Sequence, residues 1–360
     1  MKIGVIDADL ISRKKHRFPN LACMKISGFH KKQGHTVELL LSYDDVENYD
    51  RVFISKVFTD TPIPDGITDL SWVEYGGTGF FFDKAPNLPH EIEHSFPDYR
   101  LYDEFVRTKL DEGFKRIEFK EYLDYSIGFV TRGCFRKCGF CVNKKYDRVS
   151  TASPLSEFYD ETRPKICLLD DNFFGYPGWE QILSELQATG KPFKFKQGLD
   201  ERLLTDRKVE LLCESKYDGS ITFAFDNISD YRMIEKKLQL LRRYTDKQFT
   251  FYVLCGYESQ DEKDIENVFI RIELLARYKC IPYIMRFEKY KDSPYRGMYI
   301  TLARWCNQPS FVKKKSFRQY AEIANGQGGA AERYMLEFEQ KHPELAKRWF
   351  DVRFYDPSNS

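Results

Sequence analysis

Apolar and polar positions along this chain fall into a strand-then-helix rhythm that is interrupted once and then resumes. Lys2–Ala8 (KIGVIDA) is a short apolar run of the buried-strand type. Pro19-Asn20 opens a helical segment that runs to Gln33, and Gly34 takes the usual position just past a helix end. Thr36–Ser42 (TVELLLS) and Arg51–Phe58 (RVFISKVF) read as strands, and a fourth strand is predicted just before Gly76-Gly77. Residues from about 61 to 100 are rich in Pro, Gly and aromatics, which predicts loops with short strands rather than a helix pair. The rhythm resumes at Tyr125–Thr131, a strand leading straight into a cysteine-rich loop. Further strands are predicted at Lys165–Asp171, Pro192–Gln197, Ser220–Asp226, Phe249–Gly256 and Ile281–Glu288. Helices are predicted between them near Trp179–Ala188, Asp206–Glu214, Tyr231–Tyr244 and Asp261–Tyr278. On the last of these, Ile265, Val268, Phe269, Ile272 and Leu275 stripe one side at helical spacing. Residues after about Asn307 read as helical and Lys-rich, with a frayed end at Asp356–Ser360.

This order predicts an α/β protein. Residues 1–120 are expected to form a Rossmann-like domain, 121–306 a partial (β/α)6 TIM-like barrel, and 307–360 a helical C-terminal segment. No internal repeat or low-complexity tract breaks the pattern. A hydrophobic content of 42% with 31% charged residues is that of a foldable globular chain. The net charge of +1 gives no global case for binding nucleic acid or an anionic membrane. No apolar run approaches the ~18 residues of a membrane-spanning helix. The 30 Phe and 23 Tyr read first as core filling. Nine cysteines, an odd number, and no signal-peptide pattern predict reduced thiols in a cytoplasmic protein.

Three of those cysteines change the picture. Cys134, Cys138 and Cys141 lie in Thr131-Arg-Gly-Cys-Phe-Arg-Lys-Cys-Gly-Phe-Cys141, spaced C-x3-C-x2-C. A structural zinc site would need a fourth Cys or His, and none occurs between Val142 and Ile166. Three thiolates on one loop suit three irons of a 4Fe–4S cluster and leave the fourth iron open to a small molecule. The run resembles the signature of the radical S-adenosylmethionine (SAM) superfamily. The resemblance implies that the open iron chelates SAM and that one-electron reduction yields methionine and a 5′-deoxyadenosyl radical. Phe140 stands where that family has an aromatic near the SAM adenine, and Gly133 and Gly139 suit a loop wrapped around a cluster.

The resemblance also directs attention to the C-terminal ends of the barrel strands, where β/α barrels gather their chemistry. Asp170 and Asp171 are candidates for the SAM ammonium, although this chain has Leu-Leu-Asp-Asp-Asn where the family commonly has Gly-Gly-Glu. Strand alternation would point the two carboxylates to opposite faces. Lys196, Gln197 and Asp226 are candidates for the sulfonium and ribose, and Gly256, in Leu254-Cys-Gly-Tyr257, for close approach to the adenine. Residues 1–120 resemble the cobalamin-binding-like domain found before some radical SAM barrels. Ser55-Lys-Val57 and Gly76-Gly77 loosely match two of its elements, but the DxHxxG loop is missing and His16 lies too far on. Cobalamin is therefore not favoured, and a degenerate domain that shapes the substrate site is the better reading. Cys23, Cys167, Cys213, Cys255, Cys280 and Cys306 show no metal spacing, so no second cluster is expected. A reductant such as flavodoxin or ferredoxin is the implied partner. The rival readings are a cobalamin-dependent radical methyltransferase and a metal-stabilised binding module without catalysis.

Overall fold

A computed structural model describes residues 1–324, 326 and 328–356, so all of the expected frayed end except Asp356 lies outside the described residues. The protein is a mixed α/β chain with parallel sheets, and it divides into two compact units, Met1–Lys196 and Gln197–Ser360.

The first unit opens with a four-stranded parallel sheet of β1 (Lys2–Asp7), β2 (Thr36–Leu40), β3 (Arg51–Ser55) and β4 (Val73–Gly76), in the order β2-β1-β3-β4. Burial follows position. The central strands β1 and β3 are buried along nearly their whole length, as strands covered on both faces must be, while the edge strands β2 and β4 are half open. Ile3, Val5 and Phe53 pack on one face with Met24, Ile26 and Phe105. Ile6, Val52 and Ile54 pack on the other with Val46, Ile67 and Val73. The helix Leu21–Lys32 begins where Asn20 caps it, its Oδ1 accepting from the Cys23 amide at 3.2 Å, and Gly34 follows its end at φ 82°.

Residues 61–100 depart from expectation. Apart from β4 they hold no strand, and they form short helices at Thr78–Phe81 and His90–Glu93 and single helical turns at Ile67–Asp69 and Phe82–Lys84. Four-residue helices show no periodicity to read. The later part of this unit contributes β5 (Tyr125–Gly128), β6 (Thr131–Arg132), β7 (Ser150–Thr151), β8 (Lys165–Leu168) and β9 (Phe193–Phe195). A three-stranded parallel sheet has the order β5-β8-β9, with Gly128, Leu168 and Phe195 in register. The predicted strand Tyr125–Thr131 is thus two strands. It breaks after Gly128, and Thr131–Arg132 pairs antiparallel with Ser150–Thr151 instead.

The second unit holds β10 (Thr222–Ala224), β11 (Thr250–Cys255) and β12 (Ile281–Arg286), parallel and in that order. Helices Asp206–Glu214 and Tyr231–Tyr244 stand as expected, and Glu262–Arg277 within a residue at each end. The apolar stripe of Glu262–Arg277 joins a large aromatic core with Trp305, Phe317, Trp349 and Phe350. Phe269 stacks on Trp349 at 6.1 Å between ring centres. The helices beyond 307 are therefore built into the core of this unit. Helix Arg296–Cys306, which also lines that core, was not foreseen. Among the described residues no helix is long and apolar enough to cross a membrane.

Candidate functional site

The cysteine loop, residues 133–149, hangs from a two-stranded clamp. Thr131 and Arg132 of β6 pair with Thr151 and Ser150 of β7. The amides of Ala152 and Ser153 extend the clamp by donating to Val130 O and Phe129 O at 2.9 and 3.1 Å. The loop begins at Gly133, whose φ of 96° and whose approach to the Arg148 carbonyl, where a Cβ would stand 2.4 Å away, leave room for no side chain.

Two adjacent carboxylates just past β8 brace this loop. Asp170 is buried. It accepts from Val130 N at 3.3 Å, Thr131 N at 2.7 Å and Thr131 Oγ1 at 2.6 Å. Burial pushes its carboxyl up to about 7, against the donors that favour the anion. Asp171 accepts from Gly133 N at 2.8 Å and from Asn143 Nδ2 at 2.6 Å, so it joins the two arms of the loop. The expectation that alternation would split their roles fails because β8 ends at Leu168, two residues earlier. Both carboxylates serve the loop here.

The three thiols are half-buried. Cys134 Sγ accepts from Arg136 N and from Asn172 Nδ2, both at 3.3 Å, and Cys141 Sγ accepts from Asn143 N at 3.4 Å. A turn joins the other pair, with Cys141 N donating to Cys138 O at 3.0 Å. Burial pushes the Cys141 thiol up, and the nearby Cys138 and Cys134 push it the same way. Phe140 is half-buried between them. Among the described residues no three His, Cys, Asp or Glu side chains converge on a point that could hold one metal ion. One tetrahedral ion with sulfurs at about 2.3 Å would need thiolates only ~3.8 Å apart. A cubane takes one thiolate per iron, so its sulfurs stand wider, and amide bonds to the sulfurs tune it. Three thiols lie on one braced loop, and two of them, Cys134 and Cys141, already receive N–H bonds.

No protein-family model matches this chain, and no curated protein matches it.

The remaining predicted residues divide between the units. Lys196 closes the first unit; its amide bonds Leu168 O at 2.8 Å, and its exposed side chain reaches the Phe18 ring at 4.7 Å. Gln197, exposed, begins the second. Asp226 follows β10, half-buried, and burial pushes its carboxyl up to about 6. Gly256 follows β11, where its amide donates to Asp264 at 2.7 Å and its Cα faces Tyr290. The structure thus brings together Cys134, Cys138, Cys141, Asp170 and Asp171.

Sequence reading missed Asn143, the link between Cys141 and Asp171, because a lone Asn in a loop carries no signal. It also missed two buried ionisable residues of the second unit. Arg271 donates from Nη1 to the carbonyls of Phe225, Asp226 and Leu254 at 2.8–3.0 Å, just where β10 and β11 end. Glu201 is 2% exposed and accepts from the Ala224 amide at 3.2 Å. Arg271 had a signal, a charge beside the apolar stripe of its helix. Glu201 had none.

The crevice between β1 and β3, the switch point where open α/β sheets bind ligands, is filled by the protein's own groups. Tyr102 OH donates to Asp7 at 3.0 Å and receives the Asn20 amide at 3.0 Å, and Asn20 Nδ2 donates to Ser55 at 2.9 Å. Asp9 binds Val57 N at 2.7 Å and the Thr61 hydroxyl. The glycine turn closes on β3 itself, since a Cβ on Gly77 would lie 2.3 Å from Lys56 O. These residues do not fit a corrin ring.

Proposed function

We propose that this chain is a radical SAM enzyme, with Cys134, Cys138 and Cys141 holding a 4Fe–4S cluster. The single observation that carries the reading is the braced C-x3-C-x2-C loop, hung from the antiparallel β6–β7 clamp and fastened by Asp170 and Asp171 to the end of the parallel strand β8. When bound, the cluster and SAM would supply a 5′-deoxyadenosyl radical that abstracts hydrogen from a substrate. The chain's own work is different in kind. Asp170 and Asp171 fix the loop so that its thiols are set before metal arrives, as preorganised sites require. The amides of Arg136 and Asn143 stabilise charge on Cys134 and Cys141. Phe140 and Gly256 are assigned to the adenine, and Lys196, Gln197 and Asp226 to the sulfonium and ribose. The finer architecture, a Rossmann-like domain followed by a six-unit partial barrel, belongs to this proposal, as do the cytoplasmic setting and the flavodoxin- or ferredoxin-type reductant.

The test is anaerobic reconstitution with iron and sulfide, followed by SAM and dithionite. The expected result is about four irons per chain and formation of 5′-deoxyadenosine and methionine. Replacing Cys134, Cys138 and Cys141 together by Ala abolishes both products. Zinc in place of iron, or product formation by the triple variant, refutes the proposal.

A further inference from the structure

We propose that the surface around the cysteine loop docks single-stranded nucleic acid, and that the substrate of the enzyme is a polynucleotide. The substrate role rests on the reading above; the docking does not.

Local charge departs from that of the chain. Residues 131–149 carry six Lys or Arg against one acid, Asp147, in a protein whose net charge is +1, and Arg132 pairs outside the run with Glu93 at 3.8 Å. Lys137 answers that acid at 2.7 Å. Lys145 bonds only neutral groups, Ala85 O at 2.8 Å and Asn87 Oδ1 at 2.9 Å. Among the described residues, Lys144, Lys145 and Arg148 make no ion pair, and Lys145 and Arg148 are exposed. Such unneutralised cations are the footprint of phosphate binding.

Charge alone would equally suit an acidic electron carrier, and the aromatic rings decide between the two. Phe135 is 40% exposed, with the Arg136 guanidinium 5.2 Å over its ring. The bonds of Lys145 fasten the loop to Ala85–Asn87, which continues from a second exposed group, Tyr75, Phe81 and Phe82. Tyr75 and Phe81 stack at 5.7 Å. Phe82 stands at φ 49°, a region bulky side chains avoid, and its ring still faces solvent instead of the core. Open rings on the loop that carries Lys144, Lys145 and Arg148, and on the segment fastened to it, are what a single strand needs, because bases stack on the rings while phosphates meet the charges.

The probe is a fluorescein-labelled oligouridylate of about 15 nucleotides, followed by anisotropy against the full chain at several salt concentrations. With three phosphate contacts the log–log salt slope is expected near −2, from about −0.7 per contact. Lys144→Glu with Arg148→Glu weakens binding at least about tenfold and flattens the slope by about 1.4. Phe82→Ala weakens it roughly fivefold or more, for one lost stack, and leaves the slope unchanged. Circular dichroism and iron content, unchanged in the variants, show that the fold is kept. Absence of binding by the folded protein overturns the proposal. So does a charge-reversed variant that binds oligouridylate normally but is reduced more slowly by flavodoxin, since the face would then belong to the reductant. Binding by protein that yields no 5′-deoxyadenosine supports the docking and sinks the radical reading alone.

Discussion

Glu201 offers the sharpest link between burial and pH. The carboxyl is 2% exposed, and burial first, then the neighbouring Asp200, pushes it up to about 8 from an ordinary 4.5. At pH 6 the folded chain therefore holds a proton on Glu201 that the unfolded chain has released. Below about 4.5 both states hold it, and the contribution to stability is complete. As pH rises toward 8, each unit removes up to ~1.4 kcal/mol, a few kcal/mol across the window. Glu201→Gln imitates the protonated form, keeps an oxygen for the Ala224 amide and cannot ionise. Urea unfolding of both proteins, followed by tryptophan fluorescence from pH 5 to 8.5, reads the difference. The Gln variant should gain on the wild type steadily as pH rises, by about 2 kcal/mol or more between pH 5 and pH 8. A difference that stays flat within about 0.5 kcal/mol over this range, the scatter of ordinary surface substitutions, would refute the reasoning.

Two further perturbations test the braces. Asp170→Ala strands two amides and a hydroxyl at the start of the cysteine loop, at ~1–3 kcal/mol for each unsatisfied buried group. Both the urea midpoint and the iron retained after reconstitution should fall, and wild-type iron content would show that the loop holds without it. Arg271→Met leaves three carbonyls at the ends of β10 and β11 without their shared donor, and should cost about 3 kcal/mol or more in urea unfolding, at ~1–3 kcal/mol for each unsatisfied buried group. Loss of less than about 1 kcal/mol would mean that water or another donor replaces it.

What the sequence made legible follows from length and periodicity. Helices of nine or more residues with an apolar stripe, such as Asp206–Glu214 and Tyr231–Tyr244, could be placed almost to the residue. Strand cores were legible too, but each ended early, because the polar residues at their C-terminal ends already belong to turns. Tyr125–Thr131 shows why: Gly128 lies against Phe158, where a Cβ would meet the ring at 2.3 Å, and the chain leaves the sheet there for the clamp with β7. No local pattern encodes that long-range pairing. The cysteine spacing was legible because chemistry fixed it locally. The partners of those cysteines were not, because Asn143 and Asp171 meet only once the loop is folded.

The placement of Asp170 and Asp171 bears on how such a site is built. A loop of 17 residues with three thiols would, left to itself, sample many arrangements, and ordering it costs roughly 1–2 kcal/mol per residue. The clamp and the two carboxylates move that ordering into the folding of the unit. Asp170 fastens the strand that enters the loop, and Asp171 fastens its first glycine to Asn143 near its middle. The asparagine then orients Cys141 through its own amide, and Asn172, the next residue of the same turn, reaches Cys134. One turn after β8 thus governs both ends of the cysteine run. This arrangement explains why the polar sequence Asp-Asp-Asn stands where the resemblance led one to expect a ligand for an ammonium. In this chain the hydrogen bonds that position makes go to the loop that carries the thiols.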